Sequence, residues 1–490
     1  MSSLRQKLRQ NLDSLLQGET LKGRVLRGGA WLGGASFFEQ AIRFGRNMLL
    51  TRLLAPEAFG AMAIVSSATT LLQLAVDVGA REALIQNPQG AEDSHATAAW
   101  WMTIGRSGFI YAVVFLCAPA IAHFYADPEL TALARVVSLS ILFDGFISPR
   151  AYIAMKQMKF RQWAAVNNGG GILGVLVTIV LGLFLRDVWA LAIGFCSENA
   201  ARCVLSHVVC PYRPRLPNLA AVRDLLKFSK GLFGLALFNL LFSRADIFVL
   251  GKLYSAADLG LYSMAVYLIQ TPASFLINVM NQTLLPALSR VQDDNQRLNR
   301  ILLQVTSTTV LIGLPAVVFA VLCGKSLLTL VYGQRYGAVS VALGFAACAT
   351  LFNVLNTQIT LAFYAKGLPQ LHRRSVIIMA AVMVALVYPF AKIFGLWGAQ
   401  LACLIAVILG YGMQVERIRK VTGLKLSHYR SGFPVPLLAC LAVAIPWVLI
   451  ARYAHVMSRP VPNIVFGLAA CLVACGLAGA LQIRQTGQPA

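Results

Sequence analysis

Apolar residues run in blocks along nearly the whole chain, from residue 28 to residue 483, broken by short polar turns. A helix needs about 20 apolar residues to cross the hydrocarbon core of a bilayer. The blocks reach that length without the strict alternation of a barrel strand. In lipid only helices and closed barrels satisfy their own backbone groups. The pattern predicts spans over 28–50, 59–80, 97–122, 130–153, 164–185, 188–209, 229–251, 259–284, 301–322, 338–364, 373–392, 395–415, 432–450 and 462–482. The fold class is therefore an all-α integral membrane protein with about 14 transmembrane helices.

Charge then sets the topology. Of 490 residues, 58% are hydrophobic and 12% charged, against about 25% charged in a soluble domain. The net charge of +23 sits mostly in the turns, so it reads as a positive-inside bias and not as a nucleic-acid surface. With both termini inside, 28 Lys and Arg fall on the cytoplasmic side, 8 outside and 6 within spans. Residues 1–27 carry Leu4, Leu8, Leu12 and Leu15 at helical spacing among basic residues, the pattern of an amphipathic arm on an anionic lipid surface. They hold no apolar core of a cleavable signal.

A repeat divides the chain. Residues 28–60 align with 228–260 at a constant offset of 200, with Leu32/Leu232, Gly34/Gly234, Phe38/Phe238, Leu50/Leu250, Leu53/Leu253 and Gly60/Gly260 identical. Repeated halves are a common transporter plan. The expected organisation is an N-lobe over 28–209, a Pro- and Arg-rich cytoplasmic linker over 210–228, a C-lobe over 229–415, and two further spans with a tail over 416–490.

Candidate chemistry lies in the polar positions within spans. Gly324-Lys325-Ser326 imitates the end of a phosphate-binding loop, but Phe319 stands where its first glycine belongs. Transport would then run on an ion gradient, the membrane potential or the substrate gradient. Charges at membrane depth face a cavity or one another. Glu39–Arg43 and Glu198–Arg202 can pair at i,i+4, while span 1 keeps a cation to spare. Arg43, Arg46, Arg106 and Arg135 are candidates for binding a diphosphate, because a guanidinium fork matches phosphate oxygens and stays ionised. Asp77, Asp144, Arg244 and Asp246 complete the in-span charges, with Ser66, Thr70 and Gln73 on the face of Asp77. A second polar stripe includes Gln270, Ser274 and Asn278, and a third Thr350, Asn353 and Thr357. Such stripes either line a wet cavity for sugar hydroxyls or join helices. Asn239, Ser243 and Asp246 share a face that could hold Na+ or a proton, though Asp246 could instead pair with an arginine of the first half. No other cofactor and no metal site is expected; the ten cysteines read as small buried hydrophobes. Gly169-Gly170-Gly171 and Gly174 suit either close approach of a neighbouring helix or a flexible gate.

Several segments resemble a known family. Leu50-Thr51-Arg52-Leu53-Leu54-Ala55-Pro56-Glu57-Ala58-Phe59-Gly60, Asp77-Val78-Gly79, Ser243-Arg244-Ala245-Asp246 and Leu285-Pro286-Ala287-Leu288-Ser289-Arg290 are similar to the polysaccharide transporter branch of the multidrug/oligosaccharidyl-lipid/polysaccharide export superfamily. The resemblance implies two six-helix lobes around a cavity, a bacterial inner-membrane location, and alternating-access transfer of undecaprenyl-diphosphate-linked sugars to the periplasmic leaflet. It implies membrane lipid and a polysaccharide polymerase with its export machinery as partners. The alternatives are a multidrug antiporter of the same fold, which needs an acidic cavity, and a membrane glycosyltransferase or polymerase, which needs a large outer loop with carboxylates.

Overall fold

In the computed structural model the described residues are 21–76, 84, 92–157, 159–213, 215, 221–223, 235–425, 436–441, 444 and 460–486, with the side chains of 21–33, 75, 160, 235–236 and 477–486 left aside. The described regular elements are helical. They are α1 (Leu21–Leu53), α2 (Pro56–Ala75), α3 (Asp93–Tyr125), α4 (Glu129–Gly145), α5 (Pro149–Lys156), α6 (Phe160–Leu185), α7 (Val188–Val209), α8 (Leu235–Leu253), α9 (Ala256–Ser289), α10 (Asn295–Tyr332), α11 (Ser340–Ala365), α12 (Pro369–Phe394), α13 (Leu396–Thr422) and α14 (Pro460–Thr486). A 3-10 turn, Gln334–Val339, leads into α11. Among the described residues nine spans are long and apolar enough to cross a membrane, or ten if the bent pair α4 and α5 is one span. Helices α1 and α8 are not among them; Glu39, Arg43, Arg46 and Arg52 interrupt the described part of one, and Arg244, Asp246 and Lys252 the shorter described part of the other.

Local sequence explains the breaks. The predicted span 130–153 is in fact two helices meeting at 58°, because Ser148 is extended before Pro149 opens α5. Ser255 caps α9 by accepting from the Asp258 amide at 3.1 Å and donating to its carboxylate at 2.7 Å. Asp294 accepts from the Gln296 and Arg297 amides at the start of α10. Residues 324–326, the phosphate-loop imitation, lie inside α10. Helix runs without a break from Leu21; residues 1–20 of the expected arm lie outside the described set, as does most of the expected span 432–450.

The chain divides into two compact units, one of residues 1–53 and 68–234 and one of 54–67 and 235–490. In the first, α1 packs on α6, α3 on α4, α4 on α7 and α6 on α7. In the second, α8 packs on α12, α10 on α11, α11 on α13 and α12 on α13. With α4 and α5 taken as one span, these are the same four pairings displaced by six spans, so both units are built on one helix-packing plan. α10 additionally packs on α14.

One contact in the second unit joins repeat-equivalent residues. A Cβ on Gly60 would overlap the carbonyl of Ala256, and a Cβ on Gly260 would overlap the carbonyl of Pro56. Each glycine thus lets its own helix touch the backbone of the other, in a reciprocal crossing of the first turns of α2 and α9. Only an absent side chain permits backbones this close.

Candidate functional site

Four in-span charges of the first unit form a tetrad. The Arg43 guanidinium donates to Glu39 Oε1 from Nε at 2.9 Å and from Nη2 at 2.8 Å. It also donates to both oxygens of Glu198, at 2.9 and 2.6 Å. Arg202 reaches Glu198 Oε1 at 2.7 Å and the Asn167 carbonyl at 3.3 Å, with Glu39 Oε1 3.9 Å away. Two arginines and two glutamates cancel. The Glu198 side chain is only 6% exposed, so these are charge-assisted bonds largely sheltered from water. The glycines on α6 make the room. A Cβ at Gly170 would meet Arg202, one at Gly171 would meet Glu39, and one at Gly174 would meet Glu198. Of the two readings of this glycine run, the structure has close approach, here around ion pairs.

The Arg43 guanidinium is bound on two sides by carboxylates and so joins α1 to α7; it is not the uncompensated cation that the spacing suggests. The i,i+4 pairs at 39/43 and 198/202 both form, and they fuse into one cluster. Arg46, one turn further along α1, donates to Asn47 Oδ1 from Nε at 3.1 Å and from Nη2 at 2.9 Å. Arg106 is half-buried on α3. Arg135 lies over the Phe115 ring, 4.3 Å from its centroid, a cation–π contact. Asp144 is half-buried on α4 and Gln73 on α2. Ser66 donates to the Ala63 carbonyl of its own helix, and Thr70 is half-buried. Asp77 lies outside the described residues.

The second unit holds a cavity of about 260 Å³ whose wall is mostly apolar with a polar side. Ser243 and Asp246 on α8, Gln270 and Ser274 on α9, Thr350 and Asn353 on α11, and Gln400 on α13 supply its polar wall, with Phe242 beside them. Asp246 is its buried floor, 7% exposed. Its Oδ1 accepts from the Ile247 amide at 2.9 Å, and its Oδ2 accepts from the Tyr262 hydroxyl at 2.6 Å. Gln400 donates to the Tyr262 oxygen at 2.5 Å and stands 3.4 Å from Oδ2. Within the expected cation set, Ser243 and Asp246 come together, whereas Asn239 is exposed and absent from the cavity wall. Arg244 and Asn278 are also exposed and not part of that wall. Sequence reading overlooked Tyr262 and Gln400 as partners of Asp246. The available signal was Gln400, a lone amide inside the apolar run of α13.

Repeated helix packing, spans of membrane length and polar side chains gathered at depth define a polytopic transporter fold. The structure aligns with "Lipid II flippase MurJ, inward closed conformation" at TM-score 0.75 and 13% identity, over 94% of this chain and 100% of that one. It aligns with an inward-facing multidrug resistance MATE family transporter of the MOP superfamily at TM-score 0.56 and 14% identity, over 78% of this chain and 95% of that one. These likenesses carry the fold. The chain belongs to the family described as "Polysaccharide biosynthesis protein", whose model matches residues 49–341. The lipopolysaccharide biosynthesis protein WzxC of Escherichia coli (strain K12) is 22% identical over 325 residues, which span 65% of this chain and 65% of that protein. The succinoglycan biosynthesis transport protein ExoT of Rhizobium meliloti (strain 1021) is 23% identical over 439 residues, 88% of this chain and 86% of that protein.

Proposed function

We propose that this protein is a flippase for lipid-linked oligosaccharides, moving an undecaprenyl-diphosphate-linked repeat unit from the cytoplasmic to the periplasmic leaflet of a bacterial inner membrane. The family match over residues 49–341 carries the reading. The names of the relatives, a lipopolysaccharide biosynthesis protein and a succinoglycan transport protein, support the substrate class. It is a transporter and not an enzyme. Its working cycle is alternating access, with both termini cytoplasmic and a polymerase receiving the flipped product.

The chemistry supports a division of labour. The Arg43 tetrad holds α1 against α6 and α7 and so fixes the position of Arg46 one turn away. Arg46 and Arg106 meet the diphosphate, whose charge must be matched at membrane depth. Within the second unit, the hydroxyl and amide groups from Ser243 to Gln400 suit sugar hydroxyls, and the Phe242 ring offers an apolar face to a pyranose. A coupling Na+ or proton binds at Asp246 with Ser243.

The test is translocation of a lipid-linked oligosaccharide in proteoliposomes, scored by its accessibility to an added glycosidase. The double variant Arg46→Gln/Arg106→Gln, matched to wild type in membrane amount and melting temperature, is expected to lose at least about tenfold in rate, the effect of removing charged hydrogen bonds. Wild-type rates in that variant would overturn the assignment of the diphosphate to these arginines. Failure of the wild-type protein to move any lipid-linked oligosaccharide, while exporting cationic drugs, would overturn the flippase reading.

A further inference from the structure

Apart from the tetrad and the second unit's cavity, the first unit contains a small basic pocket of about 190 Å³ that neither uses. Its wall is Asp93 and Thr97 on the first turns of α3, Arg150 on α5, and Tyr212, Arg213 and Arg215 in the segment after α7. Three arginines and one aspartate line it. We propose that this pocket binds a phosphate group, and that its natural occupant is the headgroup of an anionic phospholipid at the cytoplasmic interface.

Four observations support this. The charges do not cancel: three arginines face one Asp93. The ion pairs are also slack. Arg150 Nη2 lies 3.5 Å from Asp93 Oδ1, and Arg215 Nη1 lies 3.8 Å from Oδ2. Charge-assisted pairs at full strength close to about 2.7–2.9 Å, as the tetrad does, so donor capacity remains for a ligand. The frame, by contrast, is fixed. Arg150 Nη1 donates to the Pro211 carbonyl at 3.0 Å, the Tyr212 hydroxyl donates to Thr97 Oγ1 at 2.8 Å, and the Trp101 indole donates to the Arg215 carbonyl at 2.9 Å. A loop held at these points presents its arginines without first having to be ordered. Finally, the surroundings are aromatic. Trp100 stacks edge-on against both Trp101 and Tyr212, the amphipathic aromatic grouping found at headgroup level. The start of α3 adds the favourable end of a helix dipole for an anion. A phosphate carries enough oxygens to bridge guanidinium forks that a single carboxylate leaves apart.

The experiment measures binding to the purified full-length protein in neutral detergent, by the shift in melting temperature with added ligand. The probes are short-chain phosphatidylglycerol, phosphatidylcholine of the same chain length, and inorganic phosphate. Phosphatidylglycerol is expected to bind best and to weaken as salt rises. Arg213→Gln/Arg215→Gln should reduce its affinity about tenfold. Asp93→Asn removes the one competing carboxylate and should raise affinity about two- to fivefold, the range for an exposed charge. That gain cannot arise from a damaged fold. Inorganic phosphate binding with the same variant pattern, and no preference for the lipid, would keep the phosphate site but overturn the lipid occupant. Equal binding of phosphatidylcholine, or arginine and Asp93 variants indistinguishable from wild type, would overturn the site itself.

Discussion

Replacing Glu198 by glutamine removes half the negative charge of the tetrad while keeping its shape. Glu198 accepts from Arg43 at 2.9 and 2.6 Å and from Arg202 at 2.7 Å, so the change leaves two guanidinium groups around Glu39 alone. Arg43 and Arg202 are 18% and 25% exposed, which leaves the surplus cation little water to compensate it. Breaking a buried ion cluster from one side costs about 3–5 kcal/mol, a large share of the roughly 5–15 kcal/mol by which a folded protein is stable. The second variant restores balance: Glu198→Gln/Arg202→Gln again has one arginine facing one glutamate, and should recover much of the loss. The measurement is the melting temperature of purified protein in detergent, by tryptophan fluorescence. The expected order is wild type highest, the double variant next, and Glu198→Gln lowest. Additive losses in the double variant, or an unchanged melting temperature for Glu198→Gln, would refute the account of the tetrad as a mutually neutralising unit.

Two further outcomes follow from the packing. Gly171→Ala drives a methyl group into Glu39 and Arg43, so it should destabilise by about 1–3 kcal/mol, the overpacking range; the same thermal melt checks it, with Gly45→Ala, where nothing lies within 4 Å, as the unaffected control. Gln400→Leu leaves the Asp246–Tyr262 pair without its amide neighbour. It should cost about 1–3 kcal/mol in the same assay, and Tyr262→Phe should cost a similar amount because Oδ2 loses its hydroxyl donor.

The spans were the legible part of this chain. A hydrophobic run of membrane length is set by the bilayer and survives any detail of packing, which is why residues 188–209 are both the predicted and the observed helix. The broken helix at residues 146–148 was written in Pro149 but outvoted by its apolar neighbours. The charge cluster was half legible. Spacing along one helix links Glu39 to Arg43 and Glu198 to Arg202, because the 3.6-residue turn puts them on one face. It says nothing of which helix comes alongside, so the join from Arg43 to Glu198, 155 residues apart, could not be read. The glycine run reads as close approach or a gate; that ion pairs fill its space could not be read, since a missing side chain does not name its neighbour. Gln400 went unnoticed for the same reason: its partner Asp246 is distant in sequence.

The Gly60–Ala256 and Gly260–Pro56 contacts carry a historical consequence. An isologous interface is one in which a first residue touches a second while the second's counterpart touches the first's counterpart, as in a two-fold homodimer. Here both members of the pair sit in one polypeptide at an offset of 200 residues. A gene encoding a single half would already specify a self-complementary patch on its second span, and two free copies could dock there before any duplication and fusion tied them end to end.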